Sequence, residues 1–336
     1  MSLSGPNPLP VFDALTAYQR TAALRAAIEL EVFTAVGEGR TTAAAIAQRA
    51  GTPERGMRML CDYMVVCGFL TKQGGAYGLT SDTAVFLDKR SHGYIGGIAA
   101  FLTSETLTRG FRDLTEAVRE GGTMLSDHGT MDHDHPVWID FANGMAKMMQ
   151  PAAVSIAEIL KREDRPVRRV LDIAAGHGLF GITLAQHFPE AEVTAVDWAA
   201  VLSIAQQNAI HAGVGDRYHL KPGSAFDLDL GEDYDVVLVT NFYHHFSLPV
   251  CGDLAKKLHA AIAPGGRKVT LEFVPDENRV SPPGAGLFAL VMLATTAEGD
   301  AYTYSELDGM LRGAGFHRNE AHPFPGMPHT VIVSYR

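Results

Sequence analysis

The chain has 336 residues, 46% hydrophobic and 20% charged, which suits roughly two globular domains with sizeable cores. Its formal net charge of −10 argues against a nucleic-acid partner, because phosphate backbones are held by clustered Lys and Arg. The opening Met1-Ser-Leu-Ser-Gly-Pro-Asn-Pro8 lacks a basic region followed by an apolar run, and no stretch of about 18 apolar residues follows, so neither export nor membrane contact is expected. Cys61, Cys67 and Cys251 show neither zinc spacing nor a disulfide framework, which points to a reducing, cytoplasmic setting.

Residues 12–36 are Ala-rich, with Leu15, Leu24, Ile28, Leu30, Val32 and Phe33 as apolar faces, and read as helices that need a partner surface. A helix is predicted over 41–50. Thr52-Pro53 then supplies an N-cap with proline at the first helical position of the next helix, which runs to about Cys67. Gly74-Gly75, between Phe69-Leu70-Thr71 and Tyr77-Gly78-Leu79-Thr80, marks a hairpin and completes a winged-helix pattern. Such patterns often bind DNA. Here the second helix carries Met57, Met59, Leu60, Tyr63, Met64, Val65 and Val66, with Arg55 and Arg58 as its only basic residues, so packing is expected instead. Residues 91–160 read as mostly helical, broken at Gly121-Gly122 and by a polar loop over 126–135. From Arg168 onward strands at 169–174, 193–197, 218–221, 234–240 and 268–274 alternate with helices, the pattern of a doubly wound α/β sheet. Two more strands, 316–322 and 329–335, flank a Pro/Gly-rich loop.

The most informative stretch is Val170-Leu-Asp-Ile-Ala-Ala-Gly-His-Gly-Leu-Phe-Gly181, where an apolar strand turns into a helix with an acid ahead of close-set glycines. Gly176 and Gly178 lack a Cβ, so the backbone can bend sharply and approach a ligand. Gly176-x-Gly178-x-x-Gly181 also satisfies the dinucleotide fingerprint, with Asp197 in place of the ribose-binding acid about 20 residues on. Asp172 separates the two readings: a carboxylate before the glycines repels a pyrophosphate but suits a cofactor with an ammonium and a sulfonium. That cofactor is S-adenosylmethionine.

Ala17-Tyr-Gln-Arg20, Ala26-Ala-Ile-Glu-Leu-Glu-Val-Phe33, Phe242-Tyr-His-His-Phe246, Ala263-Pro-Gly-Gly266 and Leu311-Arg-Gly-Ala-Gly-Phe316 complete an ordered set over nearly the whole chain. With them the sequence resembles the class I methyltransferases, in particular the plant-type and bacterial small-molecule O-methyltransferases that carry an N-terminal winged-helix dimerisation domain. The resemblance implies a Rossmann-like α/β sheet closed by an antiparallel hairpin, preceded by a mainly helical domain. It divides the chain into a winged-helix dimerisation domain at 1–90, a helical linker and substrate-pocket region at 91–160, and an S-adenosylmethionine-binding domain at 161–336. A homodimer and a small-molecule acceptor follow from it as well.

For the cofactor, the resemblance implies that Asp172, Ala174, Gly176 and Gly178 line the methionine end, that Asp197 takes the ribose hydroxyls and that Trp198 packs beside adenine. The adenine segment, Gly-Asp-Met-Phe in many members, reads Gly223-Ser-Ala-Phe226 here. Adenine recognition therefore passes to Ser224, Ala225, Phe226 or nearby Asp227. Asn241, where the fourth strand meets the site, is either a cofactor neighbour or a turn residue. His244 matches the general-base histidine by its place after the fourth strand and its seven-residue spacing to Cys251, and His245 stands where Asp usually follows. Glu272 matches one of the glutamates that position the base; Glu298 lies near the place of the second, where Asp300 competes. Phe141, Met145, Met149 and Met292 are core by helical spacing, or flank a planar acceptor, against which thioethers pack well. Tyr243 and His245 belong to the same expected acceptor pocket.

Methyl transfer needs a nucleophile held in line with the sulfonium methyl, and a phenolic or enolic hydroxyl gains from a base. O-methylation with His244 as base is therefore the leading reading. A metal held by some of His128, His133, His135, His244, His245 and His329 would instead support C-methylation of an enolisable keto acid. No metal site is assigned, because Asp132-His-Asp-His135 reads as a polar loop. A non-catalytic metabolite-binding dimer and a nicotinamide-dependent oxidoreductase are the remaining alternatives.

Overall fold

A computed structural model of the chain describes residues 6–126, 129–131, 137–324 and 328–336. Two compact units divide it, Met1–Thr103 and Ser104–Arg336. Residues 91–103 thus go with the first unit and 104–160 with the second. Among the described residues no helix is long and apolar enough to cross a membrane.

The first unit runs α1 (Leu9–Glu29), α2 (Val32–Gly37), α3 (Ala43–Ala50), α4 (Glu54–Val66), β1 (Leu70–Gln73), β2 (Ala76–Leu79), α5 (Ser81–Phe86) and α6 (Ile98–Leu102). Thr42 caps α3 by accepting the Ala45 N–H at 3.2 Å, the usual work of a Thr N-cap. The helix after Thr52-Pro53 starts one residue later than its sequence suggests. Pro53 is itself the N-cap, with ψ at 136°, and the Thr52 hydroxyl has no hydrogen-bond partner among the described residues. Gly74 and Gly75, at φ +55° and +83°, join β1 to β2, as a two-residue hairpin requires. Phe33, Ile46, Met57, Cys61, Met64 and Tyr77 form the core beneath this wing. Leu9, Val11, Phe12, Leu15 and Tyr18 on α1 stay exposed.

The second unit begins with α7 (Glu105–Arg112), α8 (Leu114–Glu120) and α9 (Val137–Arg162). Alternation follows: β3 (Arg169–Ile173), α10 (Leu179–His187), β4 (Glu192–Asp197), α11 (Ala199–His211), β5 (Tyr218–Pro222), β6 (Tyr234–Thr240), α12 (Leu248–Ala261) and β7 (Ile262–Phe273). The chain closes with α13 (Pro283–Thr295), α14 (Tyr304–Gly313), β8 (Arg318–Pro323) and β9 (His329–Tyr335). Among the described residues the sheet order is β5-β4-β3-β6-β7-β9-β8. β5 through β7 pair in parallel, and β9 runs antiparallel between β7 and β8. This is the α/β sheet with a closing hairpin that the sequence implies. β7 starts earlier than expected, because Ala263-Pro-Gly-Gly266 stays within the strand at a register shift against Tyr234 and Val236.

The strand order reverses between β3 and β6, and in such sheets ligands bind outside the carboxyl ends of the strands at that point. The turns after β3, β4, β6 and β7 therefore define where the site lies.

Candidate active site

After β3 the backbone turns within five residues, with Ala174, Gly176 and Gly178 at φ +52°, +57° and +80°. Gly178 is both the N-cap of α10 and a close approach: a Cβ there would stand 2.8 Å from the Tyr218 hydroxyl oxygen and 3.0 Å from the Ala205 Cβ. Ala174 takes a left-handed conformation that costs a non-glycine residue about 1–2 kcal/mol.

Asp172 does not line this turn as expected. Its side chain is fully buried, and its Oδ2 accepts the Gly181 N–H at 3.0 Å. Burial pushes its carboxyl up to about 7, against the opposing pull of that N–H. A charged oxygen facing water would be the cheaper arrangement for a ligand contact; here the group instead ties β3 to the start of α10.

Asp197, at the end of β4, accepts the Gly176 N–H on Oδ2 at 2.8 Å and the Trp198 N–H on Oδ1 at 2.7 Å. A carboxylate oxygen can accept from more than one donor, hydroxyls included. It opens onto a cavity of about 780 Å³, also lined by Ala174, Trp198, Ser224, Ala225, Phe226, His245 and Glu298. Six of the residues expected to hold the cofactor thus meet in one cavity. Phe242 and Phe246 line it too, with ring centroids 5.0 Å apart and Phe246 5.0 Å from Phe226. Lys257 was not foreseen: its Nζ donates to the carbonyls of Ala225 and Phe226 at 3.1 and 2.7 Å and so holds the segment after β5 in shape.

Beyond β6, Asn241 sits at φ +53°, a conformation that Asn tolerates better than most residues. Its Nδ2 donates to the Met149 sulfur at 3.8 Å, while Oδ1 is buried without a partner among the described residues. A 3₁₀ turn over Tyr243–His245 follows. Glu272, at the end of β7, organises it: Oε1 accepts the N–H groups of Phe242 and Tyr243 at 2.9 and 2.8 Å, and Oε2 meets His244 Nδ1 at 2.5 Å. Both side chains are buried. A carboxylate on Nδ1 places the ring proton there and leaves the Nε2 lone pair as a proton acceptor. The Cys251 thiol donates to the Tyr243 carbonyl at 3.2 Å, which gives the His244-to-Cys251 spacing a structural reason.

Two expected site residues are placed differently. Tyr243 is fully buried in the core under β7, its hydroxyl accepting from Lys268 Nζ at 3.2 Å, so it is not an acceptor contact. Neighbouring residues of a tight turn point in different directions, and here His244 and His245 take the site side. Glu298 is exposed on the edge of the cavity, and the carboxylate on His244 is that of Glu272. Its loop instead reaches the Tyr243–His245 turn by backbone, through the Asp300 N–H to the His244 carbonyl at 3.0 Å. Asp300 pairs its own carboxylate with Arg279.

Aromatic rings surround the dyad. Phe273 and Phe288 stack at 3.7 Å and 10°, and His244 stands edge-on to Phe288 at 4.7 Å. Trp138 meets His245 edge-on at 5.2 Å, and Phe141 stacks on His177 at 5.9 Å. Met145, Met149 and Met292 are buried. Trp138, Phe273 and Phe288 escaped the sequence reading; Phe288 stands one helical turn before Met292, which was its available signal. Among the described residues no three His, Cys, Asp or Glu side chains come together to hold a metal. His128, His133 and His135 lie outside the described residues.

Burial pushes His177 and His329 down to about 4, and pushes His245 well below its ordinary value, with His244 adding to the effect. His177 Nδ1 accepts the Leu179 N–H at 3.1 Å, as a neutral ring can. The unfolded chain therefore binds protons below its ordinary value of 6.5 that the folded chain refuses down to about 4, so stability falls on acidification across that window. Asp172 works the other way, since its folded carboxyl takes a proton below about 7 and the unfolded one only near 3.8. The three histidines outweigh it, and the thermal midpoint should drop between pH 6.5 and 5, less so in His329→Phe. A flat profile would contradict these assignments.

The O-methyltransferase domain family matches residues 111–317, and the O-methyltransferase dimerisation domain family matches residues 12–89. The chain belongs to the O-methyltransferase family. Within that family, a Nostoc punctiforme protein assigned as an O-methyltransferase is 49% identical in its crystal structure, with a TM-score of 0.95 over 99% of this chain and 100% of the other. The tetracenomycin polyketide synthesis 8-O-methyltransferase of Streptomyces glaucescens is 27% identical over 92% of this chain and 91% of its own. The 3-hydroxy-5-methyl-1-naphthoate 3-O-methyltransferase of Streptomyces sahachiroi is also 27% identical, over 92% and 89%. This O-methyltransferase uses S-adenosylmethionine and acts on a small molecule.

The cavity fits that cofactor on its own terms. An acid at one strand end suits ribose hydroxyls, a Phe226–Phe246–Phe242 cluster suits a purine, and a left-handed turn with backbone approach suits an amino acid. Asp197→Ala should weaken S-adenosylhomocysteine binding by about 10–100-fold, the order of one or two lost charged hydrogen bonds plus a loosened glycine turn. Calorimetry reads this directly. Unchanged affinity would remove Asp197 from the ribose site.

Proposed function

We propose that the enzyme methylates a phenolic or enolic hydroxyl on a small planar acceptor, with His244 as general base and Glu272 holding its tautomer. The observation that carries this reading is the buried contact of His244 Nδ1 with Glu272 Oε2 at 2.5 Å, beside the Phe273–Phe288 stack. The cofactor supplies a sulfonium methyl with a good leaving group, so the protein has little covalent work to do. Its part is to hold the acceptor oxygen in line and to take its proton. His244 Nε2 receives that proton, and the resulting imidazolium is stabilised by Glu272. Met145, Met149 and Met292 on α9 and α13 offer soft faces to an aromatic ring, and one of the relatives acts by name on a hydroxynaphthoate.

A screen of phenols and hydroxynaphthoates with labelled methyl donor tests the reading. Label on oxygen is expected. Label on carbon, with sensitivity to chelators, would favour the keto-acid route instead.

We further propose that Phe12, Leu15 and Tyr18 on exposed α1, within the matched dimerisation region, pack against a second copy, since so much apolar surface is unusual on a monomer. Light scattering should return twice 36.2 kDa. A monodisperse, fully active monomer would overturn it. No nucleic-acid role is proposed, because Arg58 on α4 is engaged with Asp62 at 3.0 Å, and the unpaired Cys61, Cys67 and Cys251 suit the cytoplasm.

A further inference from the structure

β7 places Lys268, Thr270 and Glu272 at alternate positions, so the three stand on one face of the sheet. Lys268 is wholly buried. A lysine in a central strand is expensive to bury and is seldom found there without a use. Its Nζ donates to Thr270 Oγ1 at 2.9 Å and to the Tyr243 hydroxyl at 3.2 Å, and lies 5.3 Å from the Phe316 ring centre. Tyr243 in turn gives its backbone N–H to Glu272 Oε1 at 2.8 Å, and Glu272 Oε2 holds His244. The polar groups thus form a line from the middle of the core to the catalytic turn.

We propose that Lys268 is a positioning residue for methyl transfer: through Tyr243 it fixes the turn that carries His244, and its charge supports the Glu272 carboxylate that orients the imidazole. This rests on His244 as the base.

Among the described residues the surroundings leave the ammonium one carboxylate to act on. Tyr243 faces it from the 3₁₀ turn and Cys251 from α12, and burial pushes the phenol up and the thiol up to about 12, so neither supplies an anion at neutral pH. Tyr302 is pushed up likewise. Ser334, opposite Lys268 on β9, is uncharged and its hydroxyl has no partner among the described residues. Glu272 remains. Burial lowers Lys268 to about 7, with Cys251 and Glu272 pulling the other way, so the lysine is charged on the acid side of neutrality. The groups facing His244 itself are Glu272, His245 and His329, and both histidines are held neutral by burial.

Lys268→Met tests the proposal. It removes a buried cation and keeps an unbranched apolar side chain, so the protein should fold and bind S-adenosylhomocysteine as before. Its kcat should fall several-fold with acceptor KM unchanged. The acid limb of the pH–rate profile should move to higher pH by about half a unit, because a nearby cation no longer disfavours protonation of His244. Thr270→Val, which takes one acceptor from the ammonium at constant shape, should move it the same way by less, and stands in if Lys268→Met fails to fold. The His244 imidazole resonances, followed by NMR titration, should move with the rate profile, and they report the coupling whether or not His244 is the base. An unchanged titration and rate profile in folded variants would overturn the proposal. A shifted titration together with near-normal turnover of His244→Ala would instead leave the coupling standing and remove the base.

Discussion

His244→Ala is expected to lower turnover by about 10²–10⁴-fold, the range for removing a general base, while leaving cofactor affinity within about twofold. The two effects separate because His244 meets Glu272 and the aromatic rings of Phe288 and His245, whereas Asp197, Trp198 and Ser224 line the cofactor cavity. The base must be neutral to act, so the wild-type rate should level off once the base is free, whereas the His244→Ala rate should keep rising with pH as the acceptor itself ionises. Raising the pH should partly restore the variant, since a phenolate formed in solution needs no base. His245→Ala should do less, because that ring is held neutral by burial and its Nδ1 has no hydrogen-bond partner among the described residues. Single-turnover measurements on folded protein check all three. Near-normal turnover in His244→Ala would mean that proximity to the sulfonium is sufficient, or that another group takes the proton.

What was legible in the sequence is local in origin. The turn after β3 announces itself because Gly178 tolerates no side chain, and Asp197 lies one strand further on in a spacing set by the βαβ unit. His244 and Glu272 were found separately, each at a strand end, and the structure brings them into contact across parallel neighbours β6 and β7. Where reading failed, the deciding fact was three-dimensional. Asp172 and Tyr243 carry polar atoms next to the site in sequence, yet the strand and the turn aim them into the core. Glu298 was placed by position in a loop, and loops keep no periodicity from which an orientation could be inferred. The Phe273–Phe288 stack joins a strand end to a helix that follows it, and nothing in either segment alone signals the partner. Lys268 and Thr270 interrupt an apolar strand in alternation, a signal available in the sequence but meaningful only once Glu272 is known to hold the base.

Glu272 should show the strongest dependence on the substitute chosen. Its two oxygens accept from Phe242 N, Tyr243 N and His244 Nδ1, and Glu272, Tyr243 and His244 are buried. Alanine would leave three donors, two of them on buried residues, without that acceptor, at about 1–3 kcal/mol for each buried one when unsatisfied, so Glu272→Ala should lose several kcal/mol of stability and much of its folded population. Glutamine is different. Its carbonyl oxygen can keep the two backbone N–H groups, which leaves its NH₂ facing His244 Nδ1 and demands a lone pair there. The imidazole must then carry its proton on Nε2, the nitrogen that should accept from the substrate. Glu272→Gln is therefore expected to unfold within a few degrees of wild type, to bind S-adenosylhomocysteine normally and still to lose about 10²-fold or more in kcat. Because base and orienter act as a unit, the double variant with His244→Ala should be little worse than His244→Ala alone. Full additivity of the two losses, or a Glu272→Gln enzyme near wild-type turnover, would show that the 2.5 Å contact holds the fold together without setting the tautomer of a base.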